Sequence, residues 1–326
     1  FLVGVDLGGT NVRTGIVTQD GKILKKLQYP TDPSRGGLDI LERLVFRLQD
    51  FIQKEIGGDY SKVKIGMGIP GPIDIKRGVI MDIPNLPDLK GFPLKDFLGK
   101  RISSPFSVEN DANAFTLGEG WVGAAKGCTD YCGITLGTGV GGGIVVEGKI
   151  LHGSEGMGGE VGHMVINPEG PLCGCGGRGC LEVYASGTGI RRMVLEAIEK
   201  GKGEGLLKKT GSDPQIITSE TVFKAAKLGD LTAKEIFNEM GRYLGLGLVN
   251  LIHLFNPDKI VIGGKVSKAW DYFIKSAMET VHARAMKSPR ERVQIVQAEC
   301  GDDGGILGAA YSALKAQSKL QIPSTK

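Results

Sequence analysis

A glycine-rich hairpin pattern occurs twice in the chain, and it narrows the possible folds more than any other feature. Each copy contains a Leu-Gly turn, a Gly-Ile-Val segment and a Gly-Lys-Ile-Leu segment, at residues 7–10, 15–17 and 21–24 and again at residues 136–139, 143–145 and 148–151. Alternating apolar residues interrupted by Gly, Asn and Asp predict three strands joined by two turns in each copy. The repetition predicts two domains of the same topology that face each other. The alternative is a chance likeness between two glycine hairpins.

The segments between and after these copies predict helices mixed with strands. Apolar residues recur at helical spacing over 37–56 and again over 233–255, where Asn256-Pro257 ends the pattern. A β-strand is predicted over 259–262, and a last apolar helix covers roughly 304–318. The chain is therefore predicted to be an α/β protein.

A length of 326 residues is enough for two domains, each with its own core. We expect a smaller N-terminal domain over 1–115 and a larger domain over 116–303, with the boundary near 112–120. The helix over 304–318 is expected to pack back on the first domain.

Composition excludes several classes of protein. The net charge of +4 is spread along the chain without runs of like charge, so a nucleic-acid surface is not required. No apolar stretch reaches the roughly 18–20 residues needed to cross a bilayer, and the first six residues are predicted to form a strand, with no leader pattern. We therefore expect a cytoplasmic protein. The 52 glycines are about twice the usual share of roughly 7%, which indicates loops where the backbone approaches a ligand closely.

The glycine loops do not match the common nucleotide motifs. A P-loop sequence is absent. Two Gly-x-Gly-x-x-Gly matches occur, at 66–71 and 137–142, but Pro70-Gly71-Pro72 follows the first and an apolar strand pattern follows the second. Because a dinucleotide site needs this motif to open a helix, dinucleotide binding is rejected.

The two turns of the repeated pattern fit phosphate binding better. Each presents backbone N–H groups and a hydroxyl, from Thr10 in the first turn and Thr138 in the second. Two such turns facing each other would bind the β- and γ-phosphates of a nucleotide from both sides. Asp6, at the end of the first strand, would hold Mg²⁺ through water. Either turn by itself is equally compatible with an ordinary hairpin.

Three closely spaced cysteines and a histidine form the clearest candidate metal site. The residues are His163, Cys173, Cys175 and Cys180. Thiolates and imidazole are ligands that Zn²⁺ prefers, and a metal would order a loop too rich in glycine to order itself. The alternative is a set of free or redox-active thiols beside an unrelated histidine. Three other cysteines lack such partners and are interpreted as small buried residues: Cys128, Cys132 and Cys300.

A polar cluster at 108–114 follows an apolar strand and opens a helix. Phosphoryl transfer to an alcohol needs a carboxylate near the hydroxyl to accept its proton, and Asp111 could supply it. The residues alone support equally well that Asp111 caps the helix.

Several of these motifs resemble those of a known family. Residues 6–11, 136–139 and Gly263-Gly264 resemble the two phosphate motifs and the adenosine turn of the actin–hexokinase superfamily. Residues 160–163 and 173–182 resemble the signature of the ROK family, named for repressors, open reading frames and kinases. The resemblance runs from Gly4 to about Leu314. It implies a two-domain actin-like ATPase or ribonuclease H-like fold with an interdomain cleft.

The resemblance also assigns roles to residues. It implies that Asp111 is the catalytic base and that zinc is structural. The implied sugar-binding residues are Asn110, Asp111, Glu160, His163 and Glu182, with Gly71 and Asn85 as lower-specificity walls of the pocket. The implied nucleotide-binding residues are Asp6, Gly8, Gly9, Thr10, Asn11, Gly137, Thr138, Gly139, Gly263 and Gly264. His163 would bind zinc through one ring nitrogen and face the sugar with the other. The alternative for Glu160 and Glu182 is solvated loop charge, and His152, His253 and His282 are interpreted as structural.

The function that these motifs imply is ATP-dependent transfer of phosphate to the 6-hydroxyl of glucose. Mannose, fructose and N-acetylmannosamine are alternative substrates, because spacing in a sequence cannot separate epimers that differ in one hydroxyl. A sugar-responsive repressor is the main alternative of another class. Such repressors carry a helix-turn-helix domain before the first phosphate motif, and here Asp6 is the sixth residue, so we expect an enzyme. A non-catalytic sensor would be expected to have lost Asp111 or a phosphate turn. Family resemblance further implies a homodimer.

Overall fold

A computed structural model describes residues 1–81, 83, 86–210 and 216–316. The described residues form strands and helices in alternation, which confirms the α/β class. The strands are β1 Leu2–Leu7, β2 Asn11–Val17, β3 Ile23–Pro30, β4 Lys64–Ile69, β5 Ile73–Asp74, β6 Val79–Ile80, β7 Phe106–Asn110, β8 Tyr131–Leu136, β9 Val140–Val146, β10 Lys149–Ile150, β11 Lys259–Gly263 and β12 Gln294–Gln297. The helices are α1 Gly37–Ile56, α2 Leu94–Gly99, α3 Asp111–Trp121, α4 Glu182–Ala185, α5 Gly187–Glu199, α6 Glu204–Thr210, α7 Ser219–Lys227, α8 Leu231–Phe255, α9 Trp270–Arg284, α10 Lys287–Arg292 and α11 Gly304–Ala316.

The chain divides into two compact units that interleave along the sequence. The first unit contains Phe1–Cys128, Gly143–Gly159 and the chain from Glu299 onward, and the second contains Thr129–Gly142 and Glu160–Ala298. The sequence analysis divided the chain once, near 112–120, whereas the whole of α3 belongs to the first unit.

The first sheet has the strand order β3-β2-β1-β4-β7. β1 pairs antiparallel with β2, and β2 with β3, while β1–β4 and β4–β7 are parallel. β5 and β6 form a separate two-stranded hairpin. The antiparallel pairs β1–β2 and β2–β3 follow from the first glycine-rich repeat, since a short turn can join only antiparallel strands.

The second sheet repeats this order, as β10-β9-β8-β11-β12. β10 pairs antiparallel with β9, and β11 pairs in parallel with both β8 and β12. β8 therefore occupies the place that β1 has in the first sheet, and the repeat predicted from the sequence is a repeat of topology.

Helix boundaries follow local sequence signals. α1 begins and ends where the periodicity predicted, and its buried face consists of Gly37, Ile40, Leu41, Leu44, Val45, Leu48, Phe51 and Ile52. It stops at Gly57, whose φ of 77° is a left-handed conformation that glycine adopts without strain. α8 stops at Asn256 in the same conformation, directly before Pro257.

Helix α11 lies directly on the first sheet. A Cβ atom at Gly4 in β1 would collide with the backbone carbonyl of Ile306, and one at Gly66 in β4 would collide with that of Ala309. Glycine in the middle of a strand is unfavourable by itself, so these two positions are explained by close approach of the helix backbone. Within the described residues, no helix is both long enough and apolar enough to span a membrane.

Candidate active site

The first phosphate turn, residues 8–11, joins β1 to β2 in the first unit. The Gly8 N–H donates to the Asn11 carbonyl at 3.0 Å and closes the turn. Thr31 lies behind it: its N–H donates to the Thr10 carbonyl at 2.9 Å and its Oγ1 to the Gly8 carbonyl at 2.6 Å. With these carbonyls bonded to Thr31, the exposed Gly9 and Thr10 carry amide groups that an anion can bind.

Asp6 is placed at the start of this turn by the last residues of β1. Its side chain is 14% exposed, and Arg13 Nη1 lies 3.4 Å from its Oδ2. Burial raises the pKa of Asp6, while the charge of Arg13 acts in the opposite direction. A buried carboxylate is stabilised by a nearby cation, and carboxylate oxygen is a donor that Mg²⁺ accepts. The position therefore fits the magnesium role predicted for Asp6.

The second phosphate turn, residues 137–140, joins β8 to β9. The Gly137 N–H donates to the Gly139 carbonyl at 2.9 Å. The N-terminus of α5 lies behind it: the Gly187 N–H donates to the Gly137 carbonyl at 2.8 Å, and Thr188 Oγ1 donates to the Thr138 carbonyl at 2.9 Å. As in the first turn, a threonine holds the carbonyl oxygens, and Thr138 is exposed.

Gly264, predicted to contact adenosine, packs against the strand that carries this second turn. Its φ is 89°, and an added Cβ would collide with the backbone of Leu136. Ser267 Oγ donates to the Gly264 carbonyl at 2.8 Å. Only glycine can occupy this position, because both the conformation and the space exclude a side chain.

The predicted catalytic segment lies at the junction of β7 and α3. Asn110 is the N-cap of α3, since its Oδ1 accepts from the N–H groups of Ala112 at 2.9 Å and Asn113 at 3.1 Å. Its Nδ2 donates to the Gly71 carbonyl at 3.1 Å. Asp111 is the first residue of α3, and its Oδ1 accepts from the N–H of Ala112 at 2.8 Å. The capping role that competed for Asp111 thus belongs to Asn110.

The four predicted metal ligands converge in the second unit. One ligand atom from each of His163, Cys173, Cys175 and Cys180 lies within 4.8 Å of all the others. Cys173 Sγ is 3.6 Å from His163 Nδ1, and Cys175 Sγ is 3.7 Å from Cys180 Sγ. Ligands at zinc bond lengths in a tetrahedron are separated by about 3.5–3.8 Å.

The three thiols differ in how readily they ionise, and a backbone hydrogen bond from Gly177 lowers the pKa of Cys175. Burial raises the pKa of Cys173 and raises that of Cys180 to about 12, so neither thiol ionises readily by itself. A metal ion that binds thiolate removes both protons. Geometry and donor set both fit a structural zinc ion, with His163 binding through Nδ1 and its Nε2 left for another partner.

Glu182 connects this cluster to the second phosphate turn. It is the first residue of α4, its Oε1 lies 3.8 Å from Cys173 Sγ, and its Oε2 accepts from the Val140 N–H at 2.9 Å. Burial raises the pKa of Glu160, and the nearby charge of Glu182 adds to this effect, while His163 opposes it. Glu182 is therefore not simply a solvated loop charge, whereas Glu160 is exposed.

Sequence reasoning missed several residues of the site. Thr31 and Thr188, which hold the two turns, have no local signal, because each is distant in sequence from its turn. Glu109 lies inside the recognised polar cluster but received no role, and His152 was interpreted only as structural. Asn85, a predicted wall of the pocket, lies outside the described residues.

The chain is similar to known proteins over most of its length. The model of the ROK family matches residues 2–316. A glucokinase of Thermotoga maritima is 40% identical over 309 residues, which cover 95% of this chain and 96% of the relative. A crystal structure of a ROK family glucokinase from Streptomyces griseus, in complex with glucose and AMPPNP, is 34% identical with a TM-score of 0.79, covering 96% of this chain and 99% of that one. A xylose repressor of Caldicellulosiruptor bescii is 28% identical and covers 94% of this chain but 76% of the repressor.

Proposed function

The chain belongs to the ROK family and has its two-domain actin-like fold, and from this we propose that it is an ATP-dependent kinase that phosphorylates the 6-hydroxyl of glucose. The observation that supports the proposal most is the arrangement at the start of α3. Asn110 caps the helix there, and the Asp111 carboxylate follows it as the first side chain of α3, bonded through Oδ1 to the Ala112 N–H. The glucokinase relative at 40% identity supports glucose as the sugar.

Asp111 is proposed as the general base. The 6-hydroxyl oxygen attacks the γ-phosphorus while its proton passes to the Asp111 carboxylate, and the bond between the γ-phosphorus and the leaving oxygen of ADP breaks. Asp111 lies at the N-terminus of α3, where the helix dipole stabilises negative charge. Asn110 fixes the orientation of the segment through its bonds to the helix N–H groups and to Gly71.

The two phosphate turns are proposed to bind ATP. Exposed amide groups at Gly9, Thr10 and Thr138 would donate to phosphate oxygens. Asp6 would hold the magnesium ion, which neutralises charge on the phosphates. Preorganised donors of this kind need no rearrangement as charge develops on the transferring oxygens.

Glucose hydroxyls are proposed to bind Asn110, Glu160, His163 and Glu182. Each sugar hydroxyl both donates and accepts, so carboxylates, an amide and an imidazole nitrogen suit it. Zinc would hold His163 through Nδ1 and thereby orient Nε2.

Mannose, fructose and N-acetylmannosamine stay as alternative substrates. A sugar-responsive repressor is the alternative of another class, supported by the relative from Caldicellulosiruptor bescii. The kinase is favoured because the glucokinase is 40% identical to this chain and the repressor 28%.

The proposal is tested by measuring ADP release with a panel of hexoses, using wild type, Asp111→Ala and Asp111→Asn. We expect wild type to prefer glucose, and both variants to lose about 10²–10⁴-fold in kcat, the range typical of general-base catalysis. Zinc content and circular dichroism should stay unchanged. Asp271, in the first turn of α9, provides the matched control Asp271→Ala, with an expected rate equal to wild type.

An Asp111→Ala variant with a rate near wild type would refute the base assignment. Preference for another hexose would replace glucose as substrate. Sugar binding without turnover of any hexose by wild type would refute the kinase.

A further inference from the structure

A buried carboxylate directly precedes the proposed catalytic segment. Glu109, at 4% exposure, is the residue before Asn110 in β7. Its Oε1 accepts from the Asn110 N–H at 2.9 Å and from Asn113 Nδ2 at 3.0 Å. Glu109 therefore bonds to Asn110, at the end of β7, and to Asn113, in the first turn of α3. Asp111 lies between these two residues in the sequence.

The second oxygen of this carboxylate binds a histidine from a distant part of the chain. His152 Nε2 lies 2.7 Å from Glu109 Oε2. An ionised carboxylate can only accept hydrogen bonds, so Nε2 is the donor. The two residues both lie in the first unit, and Glu109 then receives three hydrogen bonds, which satisfy a buried carboxylate.

His152 also begins a short loop that leads to another proposed sugar-binding residue. The Gly158 N–H donates to the His152 carbonyl at 2.9 Å and closes the loop, and Lys76 Nζ donates to the Ser154 carbonyl at 2.9 Å. Gly159 follows this loop as the last residue of its segment of the first unit, and Glu160 is the next residue in the sequence. One hydrogen bond thus joins the segment that carries Asn110 and Asp111 to the loop that precedes Glu160 in the sequence.

We propose that His152 is a positioning residue for the sugar, acting through Glu109. Its bond to Glu109 holds the backbone of Asn110 and fixes the start of the loop before Glu160. Without the Nε2 donor, the Glu109 carboxylate is left buried with one lone-pair direction unsatisfied, and it turns toward water. That movement withdraws the acceptor that holds the Asn110 N–H. The inference rests on the proposed function, because the sugar-binding roles of Asn110 and Glu160 belong to it.

Two features separate this role from simple stabilisation of the fold. A positioning role affects glucose more than ATP, since the bonds of Glu109 and His152 run to Asn110, Asn113 and the Gly158 N–H. It also depends on the hydrogen-bond donor and not on the ring itself. His152→Gln keeps a donor, whereas His152→Phe keeps a ring of similar size and removes the donor.

The test is steady-state kinetics of His152→Ala, His152→Phe and His152→Gln, with glucose binding measured by calorimetry and thermal unfolding measured in parallel. We expect the Ala and Phe variants to lose about tenfold or more in kcat/KM for glucose, because small displacements of reacting groups have effects of this size. Their KM for ATP should stay within about twofold of wild type, and the Gln variant should recover to within about threefold. His253→Ala is the matched control, since His253 Nε2 bonds to the Met286 N–H far from these segments in the sequence.

Unchanged kinetics for glucose in both the Ala and Phe variants would overturn the inference. So would an equal rise in KM for ATP, or failure of the Gln variant to recover. If the Ala variant does not fold, the comparison of Phe with Gln decides. If wild type turns over no hexose, the proposed function fails, and calorimetry of hexose binding to the same variants still tests the role of His152.

Discussion

The two phosphate turns have similar sequences but are supported in different ways. In the first, Asp6 precedes Leu7-Gly8, whereas in the second Thr135 precedes Leu136-Gly137. The first turn therefore has a carboxylate where the second has a hydroxyl. Thr31 binds two carbonyl oxygens of the first turn, and Thr188 binds one of the second, that of Thr138. Thr31 is 2% exposed, whereas Thr188 is exposed.

The second turn has an additional connection that the first lacks among the described residues. Glu182 accepts from the Val140 N–H and lies beside the zinc ligand Cys173. The difference shows that a repeated motif can keep its backbone turn while the side chains that surround each copy differ.

The largest expected difference in kcat/KM for MgATP is between a substitution of Asp6 in the first turn and one of Thr135 in the second. Asp6→Asn removes the charge that would hold magnesium, and we expect kcat/KM for MgATP to fall about 100-fold, equivalent to about 2.7 kcal/mol of lost charge stabilisation. Thr135→Val, the matched change in the second turn, should alter kcat/KM by less than about twofold. Kinetics at varied Mg²⁺ measures both. Equal losses in the two variants would show that the turns do not divide these roles.

Removal of the metal should weaken the second turn selectively. Cys175→Ser, or treatment with a chelator, should release zinc and raise KM for ATP about tenfold, because Glu182 loses its fixed neighbour. Zinc analysis of the protein and ATP titration give the result. Cys128→Ala, outside the cluster, should retain zinc and wild-type kinetics. A zinc-free protein with normal KM for both substrates would contradict the connection through Glu182.

Acid should weaken magnesium binding at the first turn. Burial raises the pKa of Asp6, so its carboxylate, which magnesium requires, is lost at a higher pH than in a free carboxyl group. Apparent magnesium affinity should fall as pH decreases, approaching about tenfold per pH unit below that raised pKa. Activity measured against Mg²⁺ between about pH 8 and pH 5 tests this. Asp6→Asn, whose side chain does not titrate, should lose this pH dependence.

The smallest effects concern the two supporting threonines. Thr31→Val should lower the free energy of unfolding by about 1–2 kcal/mol, because it leaves the carbonyl of the half-buried Gly8 without its side-chain partner. Thr188→Val should cost less than about 0.5 kcal/mol, since water can replace the exposed hydroxyl. Urea unfolding of both variants measures the difference. A cost for Thr188→Val as large as that for Thr31→Val would remove this distinction between the turns.

Much of the fold could be predicted because its signals are local. The spacing of apolar residues defines α1, and Gly57 and Asn256 end their helices through conformations that few other residues adopt easily. The grouping of His163 with three cysteines was predicted from ligand chemistry, and the four side chains do converge. The roles assigned to Asp111 and to the sugar-binding residues stay predictions, with the helix cap now assigned to Asn110.

The sequence alone was sufficient for the two hairpins, the metal ligands and the position of the carboxylate at the start of α3, because each depends on residues close together in the chain. Only the tertiary structure showed Thr31 behind the first turn, His152 on Glu109, and α11 against Gly4 and Gly66. These contacts join segments that are far apart in the chain. They depend on strand order and on how closely backbones can pack, and no local pattern of residues encodes either.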